Sequence, residues 1–240
     1  MIGCDCDVCH SSDPRDNRLR SSIYLQTPEC SFVIDTGTDF RTQALRENIR
    51  TVDAVVFTHS HTDHMMGFDD LRRFGAARGY MPVYASAETM RDLERVYEFA
   101  FKALNPFPGY LKPEPHIIDG PFQLGDTTLT PLPVPHGSTS VNGYLFTRGG
   151  RKLLAYLSDC SGVPNVIAET IKGVDTLVID ALREKSHPTH LSVSEAIEAA
   201  GRIRPSRTFF THMCHELPQS AEAGLPADTF IAYDGLKLTF

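Results

Sequence analysis

The sequence has no apolar run that approaches the ~20 residues of a membrane-spanning helix. It shows no basic start followed by an apolar stretch, so it predicts no secretory signal peptide. Internal repeats, low-complexity tracts and linkers are also missing. These absences favour a globular, cytoplasmic protein with no membrane partner and with a single domain over residues 1–240.

Basic charge is scarce as well. The chain has 23 Lys and Arg against 30 Asp and Glu, which gives a formal net charge of −7. A non-specific nucleic-acid binder needs a basic face, so this balance argues against nucleic acid as a partner. A small phosphate ester that is drawn to bound metal ions stays compatible with the acidity.

Apolar, β-branched runs alternate with helical patterns along the chain, which indicates an α/β or α+β protein. Ser86 is the predicted N-cap of a helix that runs to about Leu104. Ser192 and Glu195 have the capping-box spacing of a helix from 193 to about 203. The predicted strands are 22–26, 31–35, 53–58, 82–85, 116–118, 128–132, 142–147, 152–157, 175–180, 208–211 and 236–240.

A cluster of possible metal ligands follows the predicted strand at 53–58. Residues 59–64 read His-Ser-His-Thr-Asp-His, and imidazole with carboxylate suits zinc, manganese and iron. The candidate ligands are His59, His61, Asp63 and His64. Four ligands on one loop exceed the three protein ligands of a typical catalytic zinc site. The pattern therefore favours two adjacent metals.

This H-x-H-x-D-H pattern after a hydrophobic strand resembles the signature of the metallo-β-lactamase superfamily. Further candidate ligands follow in that superfamily's order at the ends of later predicted strands, namely His136, Asp159 and His212. The resemblance implies that one metal is held by His59, His61 and His136, and the other by Asp63, His64 and His212, with Asp159 bridging. It also implies a four-layer αββα sandwich and two divalent cations, zinc or manganese, with a metal-bridging hydroxide as nucleophile.

A second metal signal lies near the start of the chain, where Cys4, Cys6 and Cys9 form a C-x-C-x2-C cluster. Three cysteines this close favour metal binding over a disulfide framework. Thiolates are soft ligands, and closed Cys3His tetrahedra are typical of structural zinc. Chemistry alone leaves the fourth ligand open among His215, Cys214, Cys30 and His10.

The cysteine cluster resembles one branch of the superfamily, the phosphodiesterases associated with carbon–phosphorus lyase, which hydrolyse phosphoribosyl 1,2-cyclic phosphate. This resemblance implies His215 as the fourth zinc ligand. Branch members have a strand and a Gly-rich turn ahead of the cluster. Here Met1 stands two residues before Gly3, so we expect that first strand to be missing. The stretch 67–73 follows a variant pattern, which weakens transfer of the branch's substrate.

Protonation of a leaving alkoxide needs a positioned acid. The resemblance places a His in the turn before a late helix; His190 matches that place and His187 is its nearby rival. Asp180 ends a predicted strand and is either a residue that orients a ligand His or a turn residue. Arg72 and Arg73 are candidates for a substrate phosphate, although a solvated helix face is favoured.

The resemblance therefore implies a dinuclear metal-dependent phosphodiesterase for a small phosphodiester, of which a cyclic ribose phosphate is one candidate, with Asp63 and His190 as catalytic residues. The same ligand set serves other hydrolases of this fold that act on thioesters, lactams or RNA 3′ ends. A non-catalytic binding protein of cofactor biosynthesis is the alternative from a different class. Such relatives often lose catalytic ligands, whereas all seven are present here. The sequence leaves a homodimer open.

Overall fold

Buried aliphatic and aromatic side chains form two hydrophobic clusters along the chain. A computed structural model describes residues 1–76, 78–102 and 109–240, and the chain folds into two units that match these clusters. The continuous unit is Arg20–Asp126, and the discontinuous unit joins Met1–Leu19 to Thr127–Phe240. In the described part of the chain, no helix is long and apolar enough to cross a membrane.

The continuous unit contains the first six strands. They are β1 Ile23–Gln26, β2 Ser31–Ile34, β3 Ala54–Val56, β4 Met81–Ala85, β5 Pro113–Ile117 and β6 Phe122–Leu124. A sheet of order β1-β2-β3-β4-β5 pairs β1 antiparallel with β2 and keeps β2 to β5 parallel. Because β2 and β3 are parallel, their carboxyl ends meet at one edge. The residues that follow these two strands are therefore neighbours.

The helices of the continuous unit are short. They are α1 Phe40–Arg46, α2 Thr62–Met65, α3 Arg72–Gly75, α4 Ala87–Val96 and α5 Glu98–Phe101, with a 3-10 helix at Phe68–Leu71. Ser86 caps α4 as predicted, because its hydroxyl accepts from the backbone N–H of Thr89. The predicted single helix is broken at Tyr97, whose φ of −110° and ψ of 35° are not helical. Its predicted end near Leu104 lies outside the described residues.

The discontinuous unit is built on a second sheet of order β12-β11-β10-β9-β8-β7. Its strands are β7 Thr127–His136, β8 Thr139–Arg148, β9 Arg151–Leu157, β10 Thr176–Asp180, β11 Arg207–Thr211 and β12 Thr229–Ile231. Strands β9 to β12 are parallel. Strand β8 is antiparallel to both β7 and β9, so β7 and β9 run in the same direction.

Two α-helices belong to this unit, α6 Asn165–Ile171 and α7 Val193–Ile203, together with 3-10 helices at Pro14–Asp16 and Gln219–Gly224. The predicted helix from 193 to about 203 is confirmed as α7. Its capping box is complete, because the Ser192 hydroxyl accepts from Glu195 N and the Glu195 carboxylate accepts from Ser192 N.

The predicted strand at 236–240 is wrong. The position beside β11 is taken by β12, which pairs with Thr208–Phe210. The last residues form no strand and lie near Arg207, whose guanidinium donates to the Thr239 carbonyl and lies 5.4 Å from the Phe240 ring centroid. Two residues of this segment, Thr239 and Phe240, thus contact one side chain instead of joining a sheet ladder.

Candidate metal centre and active site

The four candidate ligands of the continuous unit follow β3 on one loop and the first turns of α2. The ring centroid of His59 lies 4.5 Å from that of His61 and 4.3 Å from that of His64. His59 and His64 are buried, whereas His61 is exposed. The Nε2 atom of His64 lies 3.8 Å from a carboxylate oxygen of Asp63. The structure thus groups these four side chains as the sequence predicts.

A chain of hydrogen bonds sets the tautomers of two of these histidines. The Thr58 hydroxyl donates to Asp35 Oδ2 at 2.7 Å, so its oxygen accepts from Nδ1 of His59 at 2.9 Å. Nδ1 of His64 donates to the same Asp35 oxygen at 2.8 Å. Both rings carry their proton on Nδ1, which leaves the Nε2 lone pair as the metal donor.

Asp35 was not predicted as a site residue. It follows β2 with a left-handed φ of 61° and has no solvent exposure. Burial raises the pKa of Asp35 above its ordinary value, and the charge of His64 and the hydrogen bonds from His64 and Thr58 oppose this shift. A lone Asp directly after the apolar run 31–34 was the available signal. Its partners became visible only once β2 and β3 were paired.

Two glycines let the Asp35 turn approach the metal loop. Thr36 N donates to the His64 carbonyl at 2.7 Å, and Gly67 N donates to the Thr36 carbonyl at 2.8 Å. A Cβ built at Gly37 would overlap the Asp63 carbonyl oxygen. A Cβ at Gly67 would overlap the Gly37 carbonyl oxygen. Glycine is therefore required at both positions because a side chain would clash with backbone, and not because the backbone has a positive φ.

The candidate residues of the discontinuous unit line the carboxyl edge of its sheet. His136 is the last residue of β7 and Asp180 the last of β10. Asp159 comes two residues after β9, and His212 follows β11 with a left-handed φ of 60°. Nε2 of His212 lies 3.4 Å from Asp159 Oδ2. Strands that run in one direction thus bring these side chains to one edge.

Hydrogen bonds also orient the imidazoles of this edge. Nδ1 of His136 donates to the Thr189 carbonyl at 2.8 Å, which leaves Nε2 as its donor atom. Nδ1 of His190 donates to Asp180 Oδ2 at 2.7 Å, and Cys160 N donates to the same oxygen at 3.0 Å. Asp180 therefore orients His190 rather than one of the predicted ligand histidines. Burial raises the pKa of Asp180 well above its ordinary value, and the nearby His212 opposes this shift.

His190 is surrounded by other imidazoles. Its ring stacks on that of His212, with centroids 4.8 Å apart and an interplanar angle of 11°. The ring centroid of His136 also lies 4.8 Å away, edge to face. The predicted rival, His187, has its ring centroid 5.2 Å from that of His190. The ligating atoms of His136, Asp159 and His190 lie within 4.8 Å of one another.

The predicted zinc ligands of the discontinuous unit converge. Cys4 Sγ and Cys6 Sγ each lie 3.4 Å from Nδ1 of His215, and all four donor atoms of Cys4, Cys6, Cys9 and His215 lie within 4.8 Å of one another. Two ligands of one tetrahedral zinc, a sulfur and a nitrogen, are about 3.5 Å apart. The contact with His215 lowers the pKa of Cys6 to about 6, which favours the thiolate that a metal requires.

The rivals for the fourth ligand have other contacts. Nε2 of His10 lies 3.4 Å from an oxygen of Asp5. Cys214 Sγ accepts from Glu216 N at 3.4 Å, and Cys30 Sγ lies 3.8 Å from the hydroxyl of Thr27. None of the six cysteines forms a disulfide. Of the four candidates, His215 is the one whose donor atom is grouped with the three cysteine sulfurs.

The segment that carries the cysteines is also tied to the loop after β11 by polar contacts. Arg18 donates to the Leu217 carbonyl at 2.7 Å and pairs with Asp16 at 3.2 Å. Asp16 Oδ1 in turn accepts from Gln219 N at 2.7 Å. Both ends of this segment therefore contact residues that follow His212.

The arginines considered for a substrate phosphate are at the surface. Arg72 and Arg73 are exposed in α3, and Arg72 lies 3.6 Å from Asp69. This arrangement is a solvated helix face, the reading that the sequence favoured. Another arginine, Arg20, lies nearer the ligands, with its Nη1 atom 3.8 Å from Asp63 Oδ2.

The donor set fits divalent metals in both units, because imidazole nitrogens and carboxylate oxygens suit zinc and manganese. The beta-lactamase superfamily domain matches residues 31–213 of the chain. The chain belongs to the metallo-β-lactamase superfamily. Its mixed α/β architecture with two sheets confirms the predicted fold class. As a member of this superfamily the chain is a metal-dependent hydrolase, as predicted.

Among solved structures, the chain is similar to a diphosphatase of the PhnP family, with 40% identity and a TM-score of 0.91. That match covers 99% of this chain and 90% of the other. The superfamily branch suggested by the cysteine cluster is therefore supported by a structure of high similarity.

Two curated proteins are similar over parts of their length. An octanoyltransferase of Porphyromonas gingivalis is 35% identical over 98% of this chain, which spans 48% of that protein. The exodeoxyribonuclease YycJ of Bacillus anthracis is 27% identical over 66% of this chain and 57% of its own length. The chain thus spans about half the length of these two relatives.

Proposed function

We propose that the chain is a dinuclear phosphodiesterase that cleaves a small phosphodiester, such as a cyclic ribose phosphate. One metal would be held by His59, His61 and His136, the other by Asp63, His64 and His212, with Asp159 shared. The tautomers support this assignment, because the Nδ1 hydrogen bonds of His59, His64 and His136 each leave Nε2 to ligate. Two bound metals supply an activated water and neutralise charge on the phosphoryl group.

The observation that carries the proposal is the Asp180–His190 pair. Asp180 accepts from Nδ1 of His190 at 2.7 Å, which fixes the ring and turns Nε2 toward the proposed substrate side. Protonated His190 would then hold its second proton on Nε2 and deliver it to the departing oxygen. An alkoxide is a poor leaving group, so its departure depends on such an acid. Because Asp180 is buried and also accepts from Cys160 N, this orientation is rigid.

Substrate size and class are inferred from charge and from relatives. The net charge of −7 does not suit a long polyanion. The PhnP-family relative at 40% identity is described as a diphosphatase, which is an enzyme of phosphate chemistry. A small phosphate ester agrees with both observations.

We also propose that Cys4, Cys6, Cys9 and His215 hold a structural zinc. The 3.4 Å sulfur–nitrogen separations support one shared tetrahedral ion. Three protein thiolates and one imidazole leave no open position for a substrate. Because such thiols must stay reduced, this zinc site supports a cytoplasmic location.

The test is a substrate panel on purified protein loaded with Mn²⁺ or Zn²⁺. It contains bis(p-nitrophenyl) phosphate, a ribose cyclic phosphate, a DNA oligonucleotide, an octanoyl thioester and a lactam. We expect turnover of the first two well above the others. His190→Ala should lower kcat by roughly 10²–10⁴-fold for the ribose cyclic phosphate and much less for p-nitrophenol release. His116→Ala, at a partly exposed histidine paired with Glu114, is the matched control.

Two results would contradict the proposal. Faster turnover of the thioester, the lactam or DNA would assign another substrate class to the same ligands. Equal losses on both phosphate esters in His190→Ala would give His190 a positioning role instead of proton donation.

A further inference from the structure

The loop between β10 and α7 carries a second oriented imidazole, His187. Its ring centroid lies 5.2 Å from that of His190, and the ring is partly exposed. The proposed mechanism uses His190 and leaves His187 without a role. The hydrogen bonds that His187 makes with Thr189 indicate a role for it.

The contacts at Nδ1 fix the protonation of the His187 ring. The backbone N–H of Thr189 donates to Nδ1 at 3.3 Å, and the Thr189 hydroxyl lies 3.2 Å from the same atom. A nitrogen that accepts from a backbone N–H carries no proton itself, so the proton of the neutral ring is on Nε2. His187 therefore presents an N–H donor on the side of the ring away from Thr189.

Thr189 is itself fixed by its neighbours. Its carbonyl accepts from Nδ1 of His136, and a Cβ at Gly137 would lie 2.7 Å from its Cγ2 methyl. Thr189 thus holds His136 through its carbonyl and His187 through its N–H and hydroxyl. The His187 donor is for this reason placed by the same residue that orients a candidate metal ligand.

No acceptor satisfies this donor within residues 1–76, 78–102 and 109–240: the hydrogen bonds of His187 are those at Nδ1. We propose that Nε2–H of His187 binds an oxygen of the substrate's leaving group, beside the atom that His190 protonates. This inference rests on the proposed phosphodiesterase function. It makes His187 a substrate-binding residue that selects leaving groups with an oxygen acceptor, and it involves no proton transfer by His187.

Two leaving groups offer that acceptor, a sugar hydroxyl and a second phosphate. A hydrogen bond to a neutral oxygen contributes roughly two- to tenfold in kcat/KM, and one to a charged phosphate oxygen roughly tenfold or more. A p-nitrophenolate leaving group has neither a hydroxyl nor a phosphate. The size of the loss in a His187 variant therefore distinguishes the two acceptors.

The experiment compares wild type with His187→Ala, His187→Gln and His187→Asn, all loaded with Mn²⁺. The substrates are a ribose cyclic phosphate, a nucleoside diphosphate and bis(p-nitrophenyl) phosphate. The Gln amide nitrogen reaches the position of Nε2, whereas the Asn amide reaches only that of Nδ1. Melting temperature and bound metal are measured for each variant, because a merely structural role would change these as well.

We expect His187→Ala to lower kcat/KM for the ribose cyclic phosphate or the nucleoside diphosphate, chiefly through KM. Turnover of bis(p-nitrophenyl) phosphate should change less than about twofold. His187→Gln should recover most of the loss, and His187→Asn should not.

The inference is overturned if the variants lose activity equally on all three substrates, if none of them loses activity, or if Asn rescues as well as Gln. A wild-type protein that is inactive on all three phosphate esters overturns the proposed function instead, and the inference falls with it.

Discussion

Nδ1 of His64 donates to the carboxylate of Asp35 at 2.8 Å, and both side chains are fully buried. The bond joins a residue after β2 to a proposed metal ligand in α2. Because the carboxylate only accepts, it holds the His64 proton on Nδ1 and keeps Nε2 ready for a metal. Asparagine at position 35 would present an N–H₂ group that competes with this arrangement.

We therefore expect Asp35→Asn to lower catalytic metal affinity about 10–100-fold, as is typical for loss of a ligand's hydrogen-bond partner. Metal content by mass spectrometry, after dialysis against a weak chelator, measures the loss. Asp69→Asn is the control, since Asp69 is an exposed carboxylate of the same unit that pairs with Arg72. Full metal retention in Asp35→Asn would show that the tautomer is held by other contacts.

Gly37→Ala should disturb the metal loop without a change of charge. The added methyl would overlap the Asp63 carbonyl oxygen, so backbone must shift. We expect a lower melting temperature and reduced metal binding. Gly120→Ala is the matched control in the same unit, because a Cβ there meets no atom within 4 Å. Equal melting temperatures and equal metal binding in the two variants would mean that the turn at Gly37 shifts enough to accept the added methyl.

Asp63→Ala should abolish turnover and leave the fold intact. Asp63 is a proposed metal ligand on the first turn of α2, and its partly exposed side chain is not part of the buried core. Circular dichroism and melting temperature should stay near wild type while kcat falls to background. Unchanged activity with unchanged metal content would remove Asp63 from the ligand set.

Cys6→Ser should lower thermal stability first and activity second. Loss of a zinc ligand releases the contact between the segment 1–19 and His215, which is three residues from His212. We expect one zinc per chain to be lost and the catalytic metals to be affected only indirectly. Cys214→Ser is the control, because Cys214 lies outside the cluster. A normal zinc content in Cys6→Ser would contradict the zinc assignment.

Ser192→Ala should cost about 1 kcal/mol of unfolding free energy, the usual value of an N-cap. The hydrogen bonds from Ser192 lower the pKa of Glu195. A depressed folded pKa stabilises the protein above the unfolded pKa of Glu, about 4.3, and this contribution is lost as the pH falls through the folded value. The difference in unfolding free energy between wild type and Ser192→Ala should therefore shrink as the pH of the denaturation series is lowered. A difference that does not change with pH would show that the charge of Glu195 does not contribute to the cap.

The hexapeptide 59–64 was enough to locate four proposed ligands, and the resemblance to the superfamily supplied the later ones. The four residues from His59 to His64 follow β3 on a loop and in α2, His136 ends β7, and Asp159 and His212 come after β9 and β11. Parallel strands then bring such residues to one edge without further information. Helix α7 was equally predictable, because its capping box is encoded within four residues.

Residues that act through tertiary contacts were not predictable in this way. Asp35 and Gly37 matter because the turn after β2 lies against α2. Thr189 matters because it contacts His136, which is 53 residues away in sequence, and His187, which is 2 residues away. The prediction of a strand at 236–240 was wrong for a similar reason. Period-two alternation is compatible with a strand there, but the place beside β11 belongs to β12.

The bond between Asp16 and Gln219 spans 203 residues of sequence. A ribosome that adds about 5–20 residues per second needs roughly 10–40 s to synthesise that stretch. For this interval Asp16, Arg18 and the three clustered thiols lack the partners that residues 215–219 provide. The thiols are therefore open to stray metal ions and oxidants until synthesis passes β11, and the N-terminal segment should be among the last to dock as the nascent chain folds.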